Sequence, residues 1–350
     1  MSFAKNRSLK SIVLMLLTCS PAFLTIGCLK SGSGDGAPLM PGLSSSSSVS
    51  GATSGSTTSG SSTTARRPIN NFKSKMVPLG AKINAKTDEA EIRIVAADDK
   101  GEAVSTADIK DATVVAVDEK GNETEVKPGD LTIAEEDAAE AAALRLSIVS
   151  DLSGSMSDSE LNEMRKLQVA LLKSLPRIYE GEMIQFSTQV VQRVTWTSDI
   201  DKLLAGTEKD PSMKRGVTAL YDAMEVSLKH LIDSKVASSK IMTLMTDGQE
   251  NASRSATKDQ LIALVEESGV SVVMIGTKDA DIQEMQDLMG TNGLFFYSDD
   301  FAGIQAQMKS YFDSLNKMTK IRVGAKHKAA ASFKIKAKGK NLQTSVKLKK

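Results

Sequence analysis

Between residues 143 and 320, apolar runs of strand length alternate with segments in which apolar residues recur at helical spacing. Leu144–Val149, Lys240–Met245, Val270–Ile275 and Leu294–Tyr297 read as strands, and Glu182–Phe186 with Val190–Trp196 as a hairpin. Leu161, Met164, Leu167, Leu171 and Leu172 fall on one face of a helix from Ser159 to Leu175, for which Ser157 and Asp158 offer N-caps. Further helices are expected over Val217–Leu231, Lys258–Glu267, Ile282–Met289 and Ala302–Leu315. Such alternation buries its apolar faces as a doubly wound, mostly parallel α/β sheet with helices on both sides. Aromatics make up only 4% of the 350 residues, so aliphatic side chains and 16 Met must fill most of that core.

Ligands in sheets of this kind bind beyond the carboxyl ends of the strands. The residues there carry oxygen. Asp151-Leu152-Ser153-Gly154-Ser155 follows the first strand and places a carboxylate and two hydroxyls at alternate positions. Thr246-Asp247-Gly248 ends a second strand with another carboxylate. Gly216-Val217-Thr218 opens a helix with a third hydroxyl. An all-oxygen set suits a hard cation such as Mg²⁺. Helix capping and turn hydrogen bonds are the competing use for Asp151, Ser153 and Ser155, and Thr218 can cap its own helix. Asp222, one turn further on, can orient the site or face water. Glu250 and Asn251 can rim it or be solvated.

This combination resembles the metal-ion-dependent adhesion site (MIDAS) of von Willebrand factor type A domains. RGVTALYDAM and MTLMTDGQEN read like that family's second and third loops. The resemblance implies a Rossmann-like fold over residues 143–320. It implies Mg²⁺, with Mn²⁺ or Ca²⁺ as substitutes, held by Asp151, Ser153, Ser155, Thr218 and Asp247, the carboxylates acting in part through water. It also implies an open metal position that takes a carboxylate from a partner protein. Gly154 and Gly248 would leave room for that approach, and the last helix, Ala302–Leu315, would be the segment that moves with occupancy.

The chain's beginning reads as a targeting segment. Lys5, Arg7 and Lys10 precede an apolar stretch from Ser11 to Ile26, short for a membrane span. Leu24-Thr25-Ile26-Gly27-Cys28 resembles a bacterial lipobox, with Thr25 where Leu is usual. Cys19 is a weaker candidate for lipidation than Cys28, and an ordinary signal peptide is the alternative. Residues 1–28 are thus read as a lipoprotein signal peptide. Cys19 and Cys28 are the chain's two cysteines, so processing before Cys28 leaves one, carrying lipid, and no disulfide. Leu29 after the Cys favours the outer membrane of a Gram-negative host. Residues 29–69, rich in Ser, Gly and Thr, read as a flexible tether with an average reach of about 35 Å.

Residues 70–142 read as a β-rich, immunoglobulin-like segment. Ala90–Ala97 and Ala112–Val117 are strands, each followed by an acidic turn, here read as a hairpin turn rather than a Ca²⁺ loop. Glu135–Ala143 reads as a helix or linker. Residues 321–350 read as a basic hairpin: Phe333 and Ile335 alternate with Lys334 and Lys336, and Val346 and Leu348 with Lys347 and Lys349. It is expected to pack on the N-terminal strands, making the α/β domain an insertion in a β-sandwich. Its lysines are a docking surface for phosphate-rich headgroups or an acidic partner, or a solvated face that discourages strand pairing; the second is favoured.

These readings point to a non-enzymatic, metal-dependent binding or adhesion module, anchored to the cell envelope through its lipid. Its partner is a protein with an exposed Asp or Glu. An envelope assembly or scaffold subunit is the alternative, and a metal-assisted hydrolase a weaker one. The chain has only two His, His230 and His327, neither in a triad setting, and no zinc cluster or phosphate loop. A formal net charge of +1 and the lack of an aromatic platform argue against nucleic acid. No small-molecule substrate is implied.

Overall fold

A computed structural model of the chain describes residues 75–98, 102–136, 144–175, 178–234, 239–247, 249–290, 293–298, 301–338 and 341–348. The segments read as signal peptide and tether, with Cys28, and Gly248 lie outside the described residues.

The N-terminal part contains β1 (Lys75–Ile83), β2 (Ala90–Ala97), a one-turn helix α1 (Thr106–Ile109), β3 (Thr113–Val117), β4 (Glu123–Glu125) and β5 (Leu131–Glu135). The α/β part follows with β6 (Leu144–Asp151), α2 (Asp158–Ser174), β7 (Ile178–Phe186), β8 (Val190–Thr197), α3 (Ile200–Gly206) and α4 (Leu220–Ile232). It continues through β9 (Ser239–Thr246), α5 (Lys258–Ser268), β10 (Ser271–Gly276), α6 (Ile282–Met289), β11 (Leu294–Tyr297) and α7 (Phe301–Ser314). The chain then returns through β12 (Thr319–Val323), β13 (Ser332–Lys336) and β14 (Gln343–Lys347).

The central sheet has the order β11-β10-β9-β6-β7-β8. All its pairings are parallel except that of edge strand β8 with β7. Successive residues of each strand feed opposite layers. Leu146, Ile148, Ile241, Val273 and Ile275 pack with α2 and α7, while Val149, Met242, Leu244, Val272 and Met274 pack with α4, α5 and α6. Strands buried on both faces must be apolar throughout, which is why they read as continuous runs. The fold is therefore the doubly wound α/β sheet expected, with two additional sheets.

Those sheets have the orders β1-β2-β12-β5 and β14-β13-β3-β4. Met76, Ile92, Ile94, Ile321 and Val323 of the first share one core with Val114, Ala116, Phe333, Ile335 and Val346 of the second. β12 pairs antiparallel with both β2 and β5, and β13 with both β3 and β14. The α/β part is inserted in sequence between β5 and β12. Val77, Leu79 and Val95 point away from the sandwich core and pack with α/β residues, so the first sheet is covered on both faces. Ser271 Oγ donates to Pro78 O (2.6 Å), and Lys75 Nζ to Gly293 O. Lys326, Lys328 and Lys334 of the basic tail pair with Asp130, Asp88 and Glu123. The acidic turn at Asp118 is closed internally, its carboxylate accepting from Lys120 N and Asn122 N.

Three local expectations are corrected. The helix expected from Val217 begins at Leu220. Glu135 closes strand β5 rather than opening a helix, and residues 137–143 are not described. Helix α3 has no counterpart in the sequence reading; Asp199 caps it by accepting from Asp201 N and Lys202 N.

Candidate metal centre

β6 and β9 are neighbours in register, Ser150 opposite Met245, so their carboxyl ends bring Asp151 and Thr246-Asp247 side by side. Asp151 is fully buried. Its Oδ1 accepts from Ser153 N (2.7 Å), which folds the loop back, and its Oδ2 accepts from Thr246 Oγ1 (2.6 Å). Ser153 Oγ and Ser155 Oγ share a hydrogen bond of 2.9 Å, and Ser155 Oγ donates to Asp247 Oδ1 (3.0 Å). Side-chain oxygens of four expected ligands are thus linked directly or through the Ser153 backbone.

The electrostatics of this cluster are unbalanced. Burial pushes the Asp151 carboxyl above its usual range against the pull of its hydrogen bonds. Burial, and then the neighbouring Asp151 charge, push Asp247 up to about 6. Among the described residues no cationic neighbour offsets either shift. Asp247 Oδ2 is buried without a hydrogen-bond partner. A desolvated, unpaired carboxylate oxygen costs free energy unless a cation or donor meets it. Among the described residues no group of three or more His, Cys, Asp or Glu forms a metal cluster. The donor set here is instead two carboxylates with hydroxyls, the chemistry of a hard, oxygen-seeking divalent ion. The residues fit such an ion.

Thr218 arrives on the loop before α4 and is buried. Its backbone is locked to the Asp247 loop from both sides: its N–H donates to Asn251 Oδ1 (2.8 Å), and its carbonyl accepts from Asn251 N (3.1 Å). It does not cap its helix. The N-cap residue is Ala219, which has no capping side chain. Glu250 supplies the cap from a distant loop, its Oε2 accepting from Tyr221 N (2.9 Å) while its Oε1 accepts from Ala252 N and Ser253 N (both 2.7 Å). Asp222 returns the contact by accepting from Arg254 N and Ser255 N (both 3.0 Å) and Ala256 N (3.1 Å). Glu250, Asn251 and Asp222 therefore hold two loops together.

The turn between β7 and β8 forms the other support, which the sequence reading missed. Ser187 Oγ donates to Lys214 O (2.7 Å), Ser187 O accepts from Ala219 N (2.9 Å), and Thr188 Oγ1 accepts from Val217 N (3.2 Å). Gly216 is pinned between this turn and the first loop: its carbonyl accepts from Gly154 N (2.7 Å), and a Cβ on it would meet Thr188 Oγ1 at 2.1 Å. A side chain there would displace the Thr188 hydroxyl from its bond with Val217 N. Strand ends carrying Ser or Thr at a turn were the available signal, but such residues occur in most turns.

Residues 146–310, just under half of the chain, match the von Willebrand factor type A domain family. Among solved structures, the chain is similar to proximal thread matrix protein 1 from the mussel byssus. The match has 16% identity and a TM-score of 0.44 over 54% of this chain and 49% of that one, so the chain spans about half that protein's length. A form of that protein with a zinc-occupied MIDAS motif matches at 17% identity and a TM-score of 0.44, with the same coverage of both chains. BatB from Bacteroides thetaiotaomicron matches at 16% identity and a TM-score of 0.41, over 49% of this chain and 98% of that one. No curated protein matches the sequence. The chain carries a von Willebrand factor type A domain at residues 146–310.

Proposed function

We propose that Asp151, Ser153, Ser155, Thr218 and Asp247 hold a divalent cation, Mg²⁺ in the cell, and that the chain uses it to bind a protein partner. The observation that carries this reading is the pair of buried carboxylates with no cation beside them, one with an orphaned oxygen. A bound dication would supply the missing countercharge and a Lewis-acidic position for an incoming Asp or Glu. Two carboxylates neutralise a dication without excess, and the neutral hydroxyls leave it able to attract a further anionic ligand. Val217, 49% exposed beside Thr218, supplies apolar contact surface next to that position.

Binding rather than catalysis is the function this arrangement supports. Ser153 and Ser155 bond to each other and to a carboxylate, an arrangement of ligands rather than a nucleophile with its base. His230 Nδ1 lies 2.8 Å from Glu182 Oε2. We further propose that lipid on Cys28 tethers the domain to the cell envelope, in a Gram-negative host at the outer membrane. Among the described residues no helix is long and apolar enough to cross a membrane.

Crosslinking on intact cells with Mg²⁺ and then with EDTA, followed by mass spectrometry, tests the function. A protein captured by the unsubstituted chain in Mg²⁺, and lost with EDTA or Asp151→Ala, is expected. Capture that survives both treatments removes the metal-dependent reading. Capture of a neighbouring envelope protein assigns the domain to assembly, and capture of an external surface assigns it to adhesion.

A further inference from the structure

We infer that Arg215 is a positioning residue for the metal loop, an inference that rests on the metal reading above. Arg215 is not among the expected ligands, and its hydrogen bonds go to none of their side chains. Its guanidinium reaches instead across to the backbone of the first loop. Nε donates to Ser153 O at 3.3 Å, Nη2 points at Gly154 O at 3.5 Å, and Nη1 donates to Asp158 Oδ1 at 3.1 Å. The adjacent Gly216 carbonyl accepts from Gly154 N at 2.7 Å. Residues 215–216 thus grip the Ser153-Gly154 segment through its carbonyls and the Gly154 N–H, and Thr218 follows two residues later.

The grip matters because the hydroxyl donors come from separate loops. Ser153 and Ser155 lie on the loop after β6, and Thr218 on the loop before α4. Neither loop is a helix or strand, so their spacing depends on cross-links. Asp158, at the start of α2, is the third anchor. Its side chain is 92% exposed, so that ion pair by itself contributes little. The planar fork is suited to the task, because it spans two carbonyls and a carboxylate at once; a lysine ammonium on its flexible stem does not.

Charge and positioning predict opposite outcomes, which makes the inference testable. A fixed positive charge close to a dication site repels the ion. If charge were its whole effect, Arg215→Ala would tighten metal binding, and Arg215→Lys would leave it unchanged. If the fork positions the loop, both substitutions weaken it. Groups that orient ligands from behind typically contribute 10–100-fold to metal affinity.

The test is calorimetric titration of the full chain with Mn²⁺ alone, for the unsubstituted protein, Arg215→Ala and Arg215→Lys, with melting temperatures in EDTA beside it. The expected result is binding about tenfold weaker in both variants, with the melting temperature in EDTA kept within about 2 °C. Mn²⁺ binding as tight as in the unsubstituted chain, or tighter, overturns the inference. So does a fall in the EDTA melting temperature large enough to account for the lost affinity, which would make Arg215 a general support of the fold. Absence of Mn²⁺ binding in the unsubstituted chain overturns the metal reading itself and this inference with it, and is told apart by appearing before any substitution.

Discussion

A buried carboxylate cluster in the sandwich and one at the strand ends of the α/β sheet are treated in opposite ways. In the first sandwich sheet, Glu91 on β2 lies 3.7 Å from Arg93 and 3.6 Å from Lys320 of β12, and accepts from Asn84 Nδ2 at 2.8 Å. Arg93 reaches Glu136 at 2.7 Å. Burial opposes ionisation of Glu91, but the Asn84 hydrogen bond and the charges of Lys320 and Arg93 together outweigh it and hold the carboxyl below its usual range. At the carboxyl ends of β6 and β9, Asp151 and Asp247 are as well buried but face each other, and both are pushed upward. In the first arrangement each carboxylate has a cationic neighbour from the chain itself, although Glu136 Oε2 is buried without a hydrogen-bond partner. The second has no cationic neighbour among the described residues, and the proposed metal site rests on that imbalance.

The contrast can be broken most forcefully at Asp151. Asp151→Ala should abolish Mg²⁺ and Mn²⁺ binding in a calorimetric titration while the chain stays folded; retained binding would end the comparison. In the sandwich, Arg93→Ala should leave Glu91 and Glu136 short of a countercharge. It should cost about 3–5 kcal/mol in denaturant unfolding, with Mn²⁺ affinity unchanged.

Acidity separates the two regions by sign. Asp247 has a folded value near 6, above the usual 3.8. The folded, metal-free chain therefore holds a proton that the unfolded chain has released. This contribution raises stability as pH falls from about 6 towards 4, by on the order of 2 kcal/mol. Glu91 has the opposite shift: its contribution is present above the unfolded value of 4.5 and is lost as pH falls below it. Melting in EDTA from about pH 7 to about pH 3 reads both. Asp247→Asn should remove the gain near pH 6 and leave the acid loss in place. Mn²⁺ affinity should weaken as pH drops through about 6, because the proton and the ion compete for one carboxylate.

Smaller effects sharpen the picture. Glu250→Ala removes the cap of α4 and should cost about 1–2 kcal/mol, accompanied by weaker Mn²⁺ binding because Thr218 sits at that helix end. Smallest of all, Lys334→Ala breaks an exposed pair with Glu123 and should change stability by less than about 0.5 kcal/mol.

The same two regions differ in how far they were legible. Strands β6, β9, β10 and β11 are continuous apolar runs, and α6 and β11 begin and end where their spacing predicts. Asp151, Ser153, Ser155 and Asp247 follow directly from strand ends. β12, by contrast, reads Thr-Lys-Ile-Arg-Val and merges with the basic tail; its Lys320 is buried because Glu91 lies on the strand beside it. β5 was hidden by the Glu/Ala-rich stretch that follows. The start of α4 was misplaced because its cap, Glu250, lies some thirty residues downstream, so local capping rules found nothing better than Thr218.

Periodicity, strand length and the oxygen-bearing residues after each strand are properties of neighbours along the chain, and they were enough to determine the α/β order and to point to the oxygen-bearing residues of the proposed site. Desolvation and pairing are properties of residues that meet only after folding. Only the tertiary structure could decide that Asp247 keeps a buried oxygen without a partner, that Glu250 caps a helix it does not belong to, and that Glu91 finds its countercharge on a strand more than two hundred residues away.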